Sequence, residues 1–536
     1  MKKYQYIIFS VILILFFLGL SMISPGGLYV LDFVITPFTI WQGFFNNTLQ
    51  WHIVDLINYI LWSEITSKLY YIFVFVLWLF TAAKLWKQIA YLSDSSQKKI
   101  WIYQSITAIF LLCNPWTYER FVTQPWIAAG MFAVWLWLSY LIENIQNTQK
   151  YSLLWASISF GIAFMLFPHA SVMILLISII YTVLYFKSIP WKYYIIAPIV
   201  IFAFNFNWII WSLFLWEELW TRTAATFNRW DIEAFVWNSL SWLWVDLTHL
   251  LLYWFWWERY HIITPDSLNE HWYIFAAIWF VFVLYGFIRL YCMNKKLFIF
   301  LALLATVSYI LWVSIASPLF WWINNWMYEN IPWYIGMREP QKWLWITMLC
   351  YTIFFVIAVD WVWKKVSFVH SYLMLFIVFV LLNTWNPINI FWYQQQLYGI
   401  QIPNEYREIA KIEYEKNPEN IYVVFPWHTY MGCTWTRWKN IASMQQSHFY
   451  PLRTIVADNI EIAYNYTNSQ SPTSENVEKF LQTKDISHLQ KENISHIIFQ
   501  KNCADMSNYT FLDENTEIFE QVEENNFVKI FQINYE

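Results

Sequence analysis

Glycine and charged residues are scarce in this chain, and their scarcity excludes most classes of soluble protein. Only 10 of the 536 residues are glycine, and 13% are charged, against roughly 25% in an ordinary soluble protein. Hydrophobic residues make up 59%, and long apolar runs recur. No P-loop, no G-x-G-x-x-G and no H-E-x-x-H occurs, so the sequence shows no nucleotide or zinc motif. This composition predicts a polytopic membrane protein.

Cysteines and net charge narrow the classes further. The five cysteines form no C-x-x-C pair and no metal-ligand spacing. Only Cys433 and Cys503 share the polar C-terminal part of the chain, which leaves a disulfide between them open. The formal net charge of −4 argues against a nucleic-acid partner.

Tryptophan is as abundant as glycine is rare, with 39 tryptophans in the chain. Average proteins contain about 7% glycine, and membrane helices normally carry extra glycine. One hypothesis is that many of these tryptophans are UGA codons, which some bacterial lineages read as glycine and an alternative translation table writes as tryptophan. The other is an excess of interfacial aromatic belts, which would not deplete glycine. We favour recoding and therefore assign no function to a tryptophan.

Long apolar segments predict eleven membrane spans of roughly 20 residues each. Their approximate bounds are 5–23, 69–91, 99–114, 122–143, 152–168, 170–187, 192–215, 271–292, 296–317, 341–363 and 366–385. The first span follows two lysines and has no small-residue cleavage site, so we interpret it as an anchor.

Lysines predict the orientation of these spans. With the N-terminus inside, every short inner turn contains lysine, as the positive-inside rule requires. The sequence therefore predicts a multi-pass protein of the cytoplasmic membrane, with its N-terminus inside and its C-terminal domain outside. A twelfth apolar stretch, 234–257, contains Asp246 and His249. If this stretch alone crossed the membrane, the later lysine pairs, 295–296 and 364–365, would lie on the outer side. We interpret it as helix lying on, or re-entering from, the outer surface. The inner-turn lysines are Lys98, Lys99, Lys150, Lys187, Lys192, Lys295, Lys296, Lys364 and Lys365.

Polarity divides the chain into two predicted domains. Residues 1–385 form a transmembrane domain, and residues 386–536 form an extracytoplasmic soluble domain. In the second domain, IYVVF (421–425), SHIIFQ (495–500) and FVKIFQI (527–533) are typical of buried strands, with amphipathic helices before and between them. The predicted fold class is a polytopic α-helical membrane protein of about 11 transmembrane helices with a small C-terminal α/β or α+β domain. The outer loops of the first domain are 24–68, 114–122, 216–270 and 318–340.

Arginines beside acidic residues distinguish the outer loops from the lysine-rich inner turns. A planar guanidinium suits bidentate recognition of phosphate or carboxylate, so several converging arginines would suit an anionic lipid headgroup. Any single couple could instead be a local ion pair that ties a loop to a helix end. The candidate phosphate-binding residues are Arg120, Arg222, Arg229, Arg259 and Arg338, with Glu119, Glu258 and Glu339 beside three of them.

Asp32 is the candidate catalytic group, because it stands alone among apolar neighbours just after the first span. A partly desolvated carboxyl group there would have a raised pKa and could act as general base; the alternative is a polar turn residue before Pro37. Asp55 and Glu64 are nine residues apart on the following amphipathic segment, so they do not share a helix face and give a weak signal. Lone histidines are more often structural, but three are candidates for substrate contact: His169, His249 and His428.

Several short motifs resemble those of the GT-C superfamily of polytopic glycosyltransferases. They are PGGLYVLDFVITP (25–37), NPWTYERF (114–121), FNRWD and WWERY in the third outer loop, GMREPQKW (336–343) and VVFPWHTYM (423–431). The resemblance implies an enzyme that takes a sugar from a membrane lipid, a polyprenyl phosphate, at the outer face. The acceptor would be a glycan, a lipid or a protein.

The same resemblance implies roles for individual residues. Asp32 would deprotonate the acceptor hydroxyl, although it lacks the acidic neighbour that is usual in this loop. Arg120, Arg338 and Lys342 would hold the departing lipid phosphate, with Glu119, Glu258 and Glu339 orienting the arginines. No cofactor is firmly implied, no metal ligand is assigned, and a divalent metal is left open.

Two other function classes are compatible with the sequence. A transporter or flippase for a lipid-linked glycan predicts charged groups and broken helices at mid-membrane depth, whereas the predicted spans are almost free of charge. A non-enzymatic envelope scaffold explains the polar C-terminal domain but not the arginine–acid couples of the outer loops. We therefore expect a glycosyltransferase.

Overall fold

The chain folds into two compact units in a computed structural model. The helical unit comprises Met1–Leu18, Gly43–His52 and Tyr71–Gln395, and the sheet unit comprises Gly19–Gln42, Ile53–Tyr70 and Gln396–Glu536. The structure describes residues 5–26, 28, 49–93, 100–112, 117, 120–121, 124–146, 151–167, 170–214, 245–250, 272–331, 334, 337, 339–364, 399–437, 441–442, 452–459, 461–462, 465–466, 471–503 and 506–535.

Helices dominate the described chain before residue 399. Nine of the eleven predicted spans coincide with a helix to within a few residues, the span 69–91 lies within a longer helix, and the eleventh, 366–385, lies outside the described ranges. The helices are α1 Gln5–Ile23, α2 Leu49–Ser93, α3 Ile100–Leu112, α4 Pro125–Ile145, α5 Ser152–Leu166, α6 Ala170–Tyr185, α7 Tyr193–Phe214, α8 Val245–Leu250, α9 Trp272–Met293, α10 Lys295–Val313, α11 Trp321–Asn330 and α12 Leu344–Lys364.

Four helical segments among the described residues are long and apolar enough to cross a membrane. They are Leu49–Leu92, Pro125–Ile145, Lys295–Ala316 and Leu344–Val362. Their length and composition support a membrane protein, while the total of eleven spans stays a prediction.

One helix differs from its predicted form. The sequence predicts a surface helix followed by a span at 69–91, whereas α2 runs through both parts and is broken at Trp62. The backbone of Trp62 has φ 68° and ψ 155°, a conformation that is almost confined to glycine. The side chain of this tryptophan is 79% exposed, so no packing against the protein explains its conformation.

Helices α4 and α12 form the buried centre of the helical unit. Both are apolar on all sides, as expected for helices surrounded by other helices. Helix α4 packs on α5, and α12 packs on α9 and α10. At Gly286 in α9 a Cβ atom would lie 1.7 Å from the carbonyl oxygen of Phe354 in α12, so only glycine permits this close approach.

A buried ion pair joins α2 to α4. The Lys84 ammonium donates to both carboxylate oxygens of Glu143, at 2.8 and 2.9 Å, and the Glu143 side chain is fully buried. The Gln88 amide donates a third hydrogen bond to Glu143, at 3.1 Å. Lys84 also lies 4.1 Å from the centre of the Tyr140 ring. The carboxylate is well satisfied, which a buried charge requires.

The sheet unit contains a five-stranded mixed sheet in the order β4-β1-β7-β9-β8. Strand β1 pairs in parallel with β4 and β7, and β9 pairs antiparallel with β7 and β8. The predicted strands 421–425, 495–500 and 527–533 coincide with β1, β7 and β9. The strands are β1 Ile421–Phe425, β2 Tyr430–Met431, β3 Ile441–Ala442, β4 Arg453–Ile455, β5 Glu461–Ile462, β6 Asn465–Tyr466, β7 His496–Gln500, β8 Phe519–Glu524 and β9 Val528–Ile533.

Both faces of this sheet are covered. Alternating side chains of β1 divide between two apolar cores, Val423 and Phe425 on one face and Tyr422 and Val424 on the other. Cys433 and Cys503 form a disulfide beside the ends of β1 and β7. The helices of this unit are α13 Asn404–Lys416, whose residues pack in the second core, and α14 Pro472–Thr483, α15 Ser487–Gln490 and α16 Phe511–Glu514, whose residues pack in the first.

Candidate functional site

Three of the predicted site residues lie together in the helical unit. Arg120 precedes α4, Glu339 lies in the loop before α12, and Lys342 lies in the 3₁₀ turn Pro340–Trp343. Eight predicted site residues lie outside the described ranges, so their placement stays a prediction: Asp32, Glu119, His169, Arg222, Arg229, Glu258, Arg259 and Arg338.

Glu339 bridges the two cationic side chains. Its Oε2 lies 3.4 Å from Nη2 of Arg120, and its Oε1 lies 3.5 Å from Nζ of Lys342. The Arg120 side chain is 1% exposed, Lys342 is 6% exposed and Glu339 is 19% exposed. Arg120 and Glu339 are 219 residues apart in the chain, so this contact ties two separate sequence motifs together.

The local chain around Arg120 explains its inward position. The Arg120 carbonyl accepts the Gln124 amide at 2.9 Å, and Pro125 follows as the first residue of α4, where a missing N–H costs nothing. Nη1 of Arg120 donates to the Gln124 side-chain oxygen one helical turn later. Phe121, beside it, packs edge-on against Tyr71 and Phe75 of α2. Phe121 is thus packed against α2, and Arg120 beside it is buried and contacts Gln124.

The loop that carries Glu339 is held by a hydrogen bond from a tyrosine hydroxyl and by a tight turn. The Tyr328 hydroxyl donates to the Met337 carbonyl at 3.3 Å, and burial raises the pKa of Tyr328, which keeps this hydroxyl protonated. The Lys342 amide donates to the Glu339 carbonyl at 3.1 Å within the 3₁₀ turn. Nζ of Lys342 also lies 5.9 Å from the ring centre of Phe167, at the end of α5. These contacts hold the Glu339 carboxylate and the Lys342 ammonium on one side of the turn.

The three side chains bring two cationic groups and one carboxylate together in a largely buried place. Two cations share one carboxylate at distances longer than a normal charged hydrogen bond of about 2.7–2.9 Å. The Nε of Arg120 is buried and has no hydrogen-bond partner within the described part of the chain. A buried, unsatisfied guanidinium donor is costly, so it indicates an anionic ligand that would complete the arrangement. Phosphate, with its several oxygens and negative charge, has the required chemistry.

Sequence reasoning missed two residues of this site. Gln124 is the helical neighbour of Arg120 and accepts from its guanidinium, and Phe167 lies under the Lys342 ammonium. The spacing of four between Arg120 and Gln124 was a usable signal, because residues i and i+4 meet on a helix. Nothing in the sequence marks Phe167. Across the ranges that the structure covers, no three histidine, cysteine or acidic side chains are grouped as metal ligands would be.

Two further histidine candidates belong to elements that the structure describes. His428 belongs to the sheet unit, where it follows β1 at the carboxyl end of two parallel pairings. Its side chain is partly exposed, and its backbone amide donates to the Pro426 carbonyl at 3.2 Å. His249 lies in α8, whose Asp246 carbonyl accepts from Tyr309 of α10 at 2.7 Å.

Sequence comparison finds no relative: no protein-family profile matches the chain, and no curated protein matches it. Solved structures do match. The arabinofuranosyltransferase AftD from Mycobacteria aligns with a TM-score of 0.64 at 11% identity and covers 100% of this chain. The chain spans 40% of the length of that protein. ArnT from Cupriavidus metallidurans, in a crystal structure with bound undecaprenyl phosphate, aligns with a TM-score of 0.51 at 10% identity.

The second alignment covers nearly all of both proteins, 99% of this chain and 98% of ArnT. At such low identity the likeness concerns the path of the backbone, and the roles of individual residues must be argued from the site itself. Both solved proteins are GT-C glycosyltransferases, and the chain has a GT-C-like fold.

Proposed function

We propose that this chain is a membrane glycosyltransferase that takes its sugar from a polyprenyl-phosphate carrier at the outer face of the cytoplasmic membrane. The fold supports this proposal, because a protein of the same fold and almost the same length binds undecaprenyl phosphate in its crystal structure. The acceptor would be a glycan, a lipid or a protein.

The observation that carries the proposal is the buried cluster of Arg120, Glu339 and Lys342. Transfer of a glycosyl group leaves a lipid phosphate, whose negative charge grows as the bond to the sugar breaks. Fixed cations aimed at this charge are the largest stabilisation that such a site can supply. The Nε of Arg120, which has no partner among the described residues, would give the phosphate one donor, and the Lys342 ammonium would give a second positive charge. Glu339 holds both side chains in place before the ligand arrives.

The other roles rest on the resemblance of the motifs. Asp32 has the role of general base toward the acceptor, and Arg338 joins the phosphate-binding set; Arg222, Arg229 and Arg259 are further candidates. A divalent metal remains open for this reaction. The Cys433–Cys503 disulfide supports an outer location for the sheet unit, since disulfides persist in oxidising compartments.

Incubation of the purified protein with a panel of polyprenyl-phosphate sugars tests the proposal, with release of the lipid phosphate as the readout. Wild type should release it when a suitable acceptor is present. Arg120→Gln and Lys342→Gln should release it far more slowly, whereas Arg453→Gln should match wild type. Arg453 is the matched control, because it forms an exposed ion pair with Glu419 in the sheet unit. Equal rates in all four proteins would reject the assignment of the site.

A transporter is the second candidate, and the Lys84–Glu143 pair is the observation that favours it. Charged residues inside membrane helices often mark a substrate or proton pathway. Here, however, the carboxylate accepts three hydrogen bonds and is fully buried, which is the arrangement of a structural tie between helices. Transport of a labelled lipid-linked glycan across vesicles without release of lipid phosphate would favour the transporter over the transferase.

A further inference from the structure

One face of α2 binds the backbone that leads into the candidate catalytic loop. The Gly26 amide donates to Oε1 of Glu64 at 2.8 Å, and the Leu28 amide donates to Oγ of Ser67 at 3.0 Å. The Lys68 ammonium donates to the Ser24 carbonyl at 2.7 Å. The three side chains are spaced i, i+3 and i+4, so they project from one side of the helix. We call these three side chains with the backbone of 24, 26 and 28 the loop anchor.

The side chains of the loop anchor also hold one another. Lys68 lies 3.4 Å from Oε1 of Glu64, and the Ser67 hydroxyl donates to the Glu64 carbonyl at 2.8 Å. Lys68 is only 15% exposed, so its charge is directed at the anchor more than at solvent. Hydrogen bonds from a charged donor or to a charged acceptor are about twice as strong as neutral ones. The anchor is therefore preorganised around the chain that it binds.

Two glycines bring the start of the sheet-forming segment onto the same backbone. The Gly399 amide donates to Oγ of Ser24 at 2.9 Å. A Cβ atom on Gly399 would lie 2.0 Å from the carbonyl oxygen of Pro25. A Cβ atom on Gly26 would lie 2.3 Å from the carbonyl of Ile400, and Gly26 has φ +91°. Any larger residue at either position would push the two backbone segments, 25–26 and 399–401, apart.

We propose that Glu64, Ser67 and Lys68 are positioning residues that hold the backbone of residues 24–28, from which the chain continues to Asp32, and that Gly26 and Gly399 couple this backbone to residues 399–401. Asp32 follows Leu28 by four residues in the sequence. The inference rests on the proposed function for its catalytic consequence. Residues 399–401 then also have a part in the reaction, because they pack against the backbone that the anchor holds.

Hydrogen exchange of the full-length protein tests the anchor without reference to activity. Glu64→Ala should speed exchange of the peptide containing the Gly26 and Leu28 amides about tenfold or more, the effect of losing one charged hydrogen bond. Gly399→Ala should speed the same exchange, because its Cβ atom would displace the backbone at Pro25. Glu64→Gln should be intermediate, because its amide oxygen still accepts from Gly26. Gly19→Ala is the matched control, since a Cβ atom there meets nothing within 4 Å. Unchanged exchange in both anchor variants would overturn the proposal.

Kinetics with an active donor–acceptor pair separates positioning from general damage. Glu64→Ala and Lys68→Met should lower kcat about tenfold or more while the affinity for undecaprenyl phosphate stays within about twofold of wild type. Glu64→Gln should recover part of kcat. Unchanged kcat would overturn the positioning role, and so would an equal loss of phosphate affinity, which would mean wider unfolding. If wild type itself transfers no sugar, the proposed function fails, and exchange still decides whether the anchor holds the loop.

Discussion

Replacing Arg120 is the most direct test of the candidate site. Arg120→Gln keeps a polar side chain of similar reach but removes the charge and the fork of donors. In the protein the guanidinium is 1% exposed and contacts Gln124 and Glu339, while its Nε has no partner within the described residues. The substitution therefore removes a buried donor that has no partner among the described residues. Glu339 keeps Lys342, so its carboxylate is not left alone.

The size of the effect follows from the chemistry of the lost contact. A hydrogen bond to a charged group contributes about 1.5–3 kcal/mol. Since about 1.4 kcal/mol is a factor of ten in affinity, the Kd for undecaprenyl phosphate should rise by roughly 10- to 150-fold. Breaking a fully buried ion pair can cost about 3–5 kcal/mol in stability. Here the cost should fall below that range, because Glu339 is 19% exposed and retains a second cation.

Titration of undecaprenyl phosphate into the detergent-solubilised protein, followed by native mass spectrometry, measures this Kd. Arg120→Gln should bind far more weakly than wild type, and Arg453→Gln, which removes an exposed arginine with 60% of its side chain accessible, should bind normally. If Arg120→Gln and Arg453→Gln bind equally well, the phosphate does not reach this guanidinium. A parallel thermal denaturation excludes unfolding as the cause of weaker binding.

Three further predictions concern other parts of the molecule. Glu143→Gln should destabilise the protein by about 3–5 kcal/mol, whereas Lys84→Met combined with Glu143→Leu should unfold near the wild-type temperature, because a buried pair costs most when one partner stays charged. Burial lowers the pKa of His496, so the unfolded chain binds the proton more readily and the sheet unit should lose stability as pH falls below about 6.5. Hydrogen exchange of β7, corrected for intrinsic rates, should accelerate in acid, and His496→Gln should abolish the acceleration. Trp62→Gly should raise the unfolding temperature, since it relieves about 1–3 kcal/mol of backbone strain. Trp155→Gly, within the regular helix α5, should lower it.

The Trp62 comparison also bears on the tryptophan excess. Several buried tryptophans have well-placed indole hydrogen bonds, such as Trp78 to the Ala108 carbonyl and Trp135 to the Trp345 carbonyl, both at 3.1 Å. These positions accommodate the large ring. Trp62 is the opposite case, with an exposed ring on a backbone conformation suited to glycine. The recoding hypothesis therefore predicts a UGA codon at 62 first of all, and a UGG codon there would count against it.

Apolar length and period predicted most of the helices and the central strands. Nine predicted spans match helices to within a few residues, and three predicted strands match strands, because a continuous apolar run is recorded in the local sequence. Strand β8, Phe519–Glu524, was missed, because it is an edge strand with four acidic or amide side chains and little apolar signal. The order of the strands was also beyond the sequence, since pairing depends on contacts between distant segments.

The loop anchor could not be predicted from the sequence for a different reason. Glu64 and Asp55 do not share a helix face, so the sequence gives only a weak signal for Glu64. Its partners are Lys68, four residues later on the same face, and the Gly26 amide, 38 residues earlier. The i, i+4 spacing was visible in the sequence. The backbone partner was not, because a carboxylate that binds main-chain amides leaves no mark on the identity of the residues it binds.

The surroundings of Arg120 explain why adjacent arginine–acid couples were an ambiguous signal. Residues i and i+1 do not face each other on a helix, and Arg120 has helical backbone geometry. Its described partners are accordingly Gln124, one turn later, and Glu339, from a distant loop. The GMREPQKW motif supplies Glu339 and Lys342 three residues apart, and the turn Pro340–Trp343 presents both on one side. Arg120 and Glu339 therefore belong to one cluster, and a substitution at Glu339 should disturb Arg120 more than its distance in sequence would indicate.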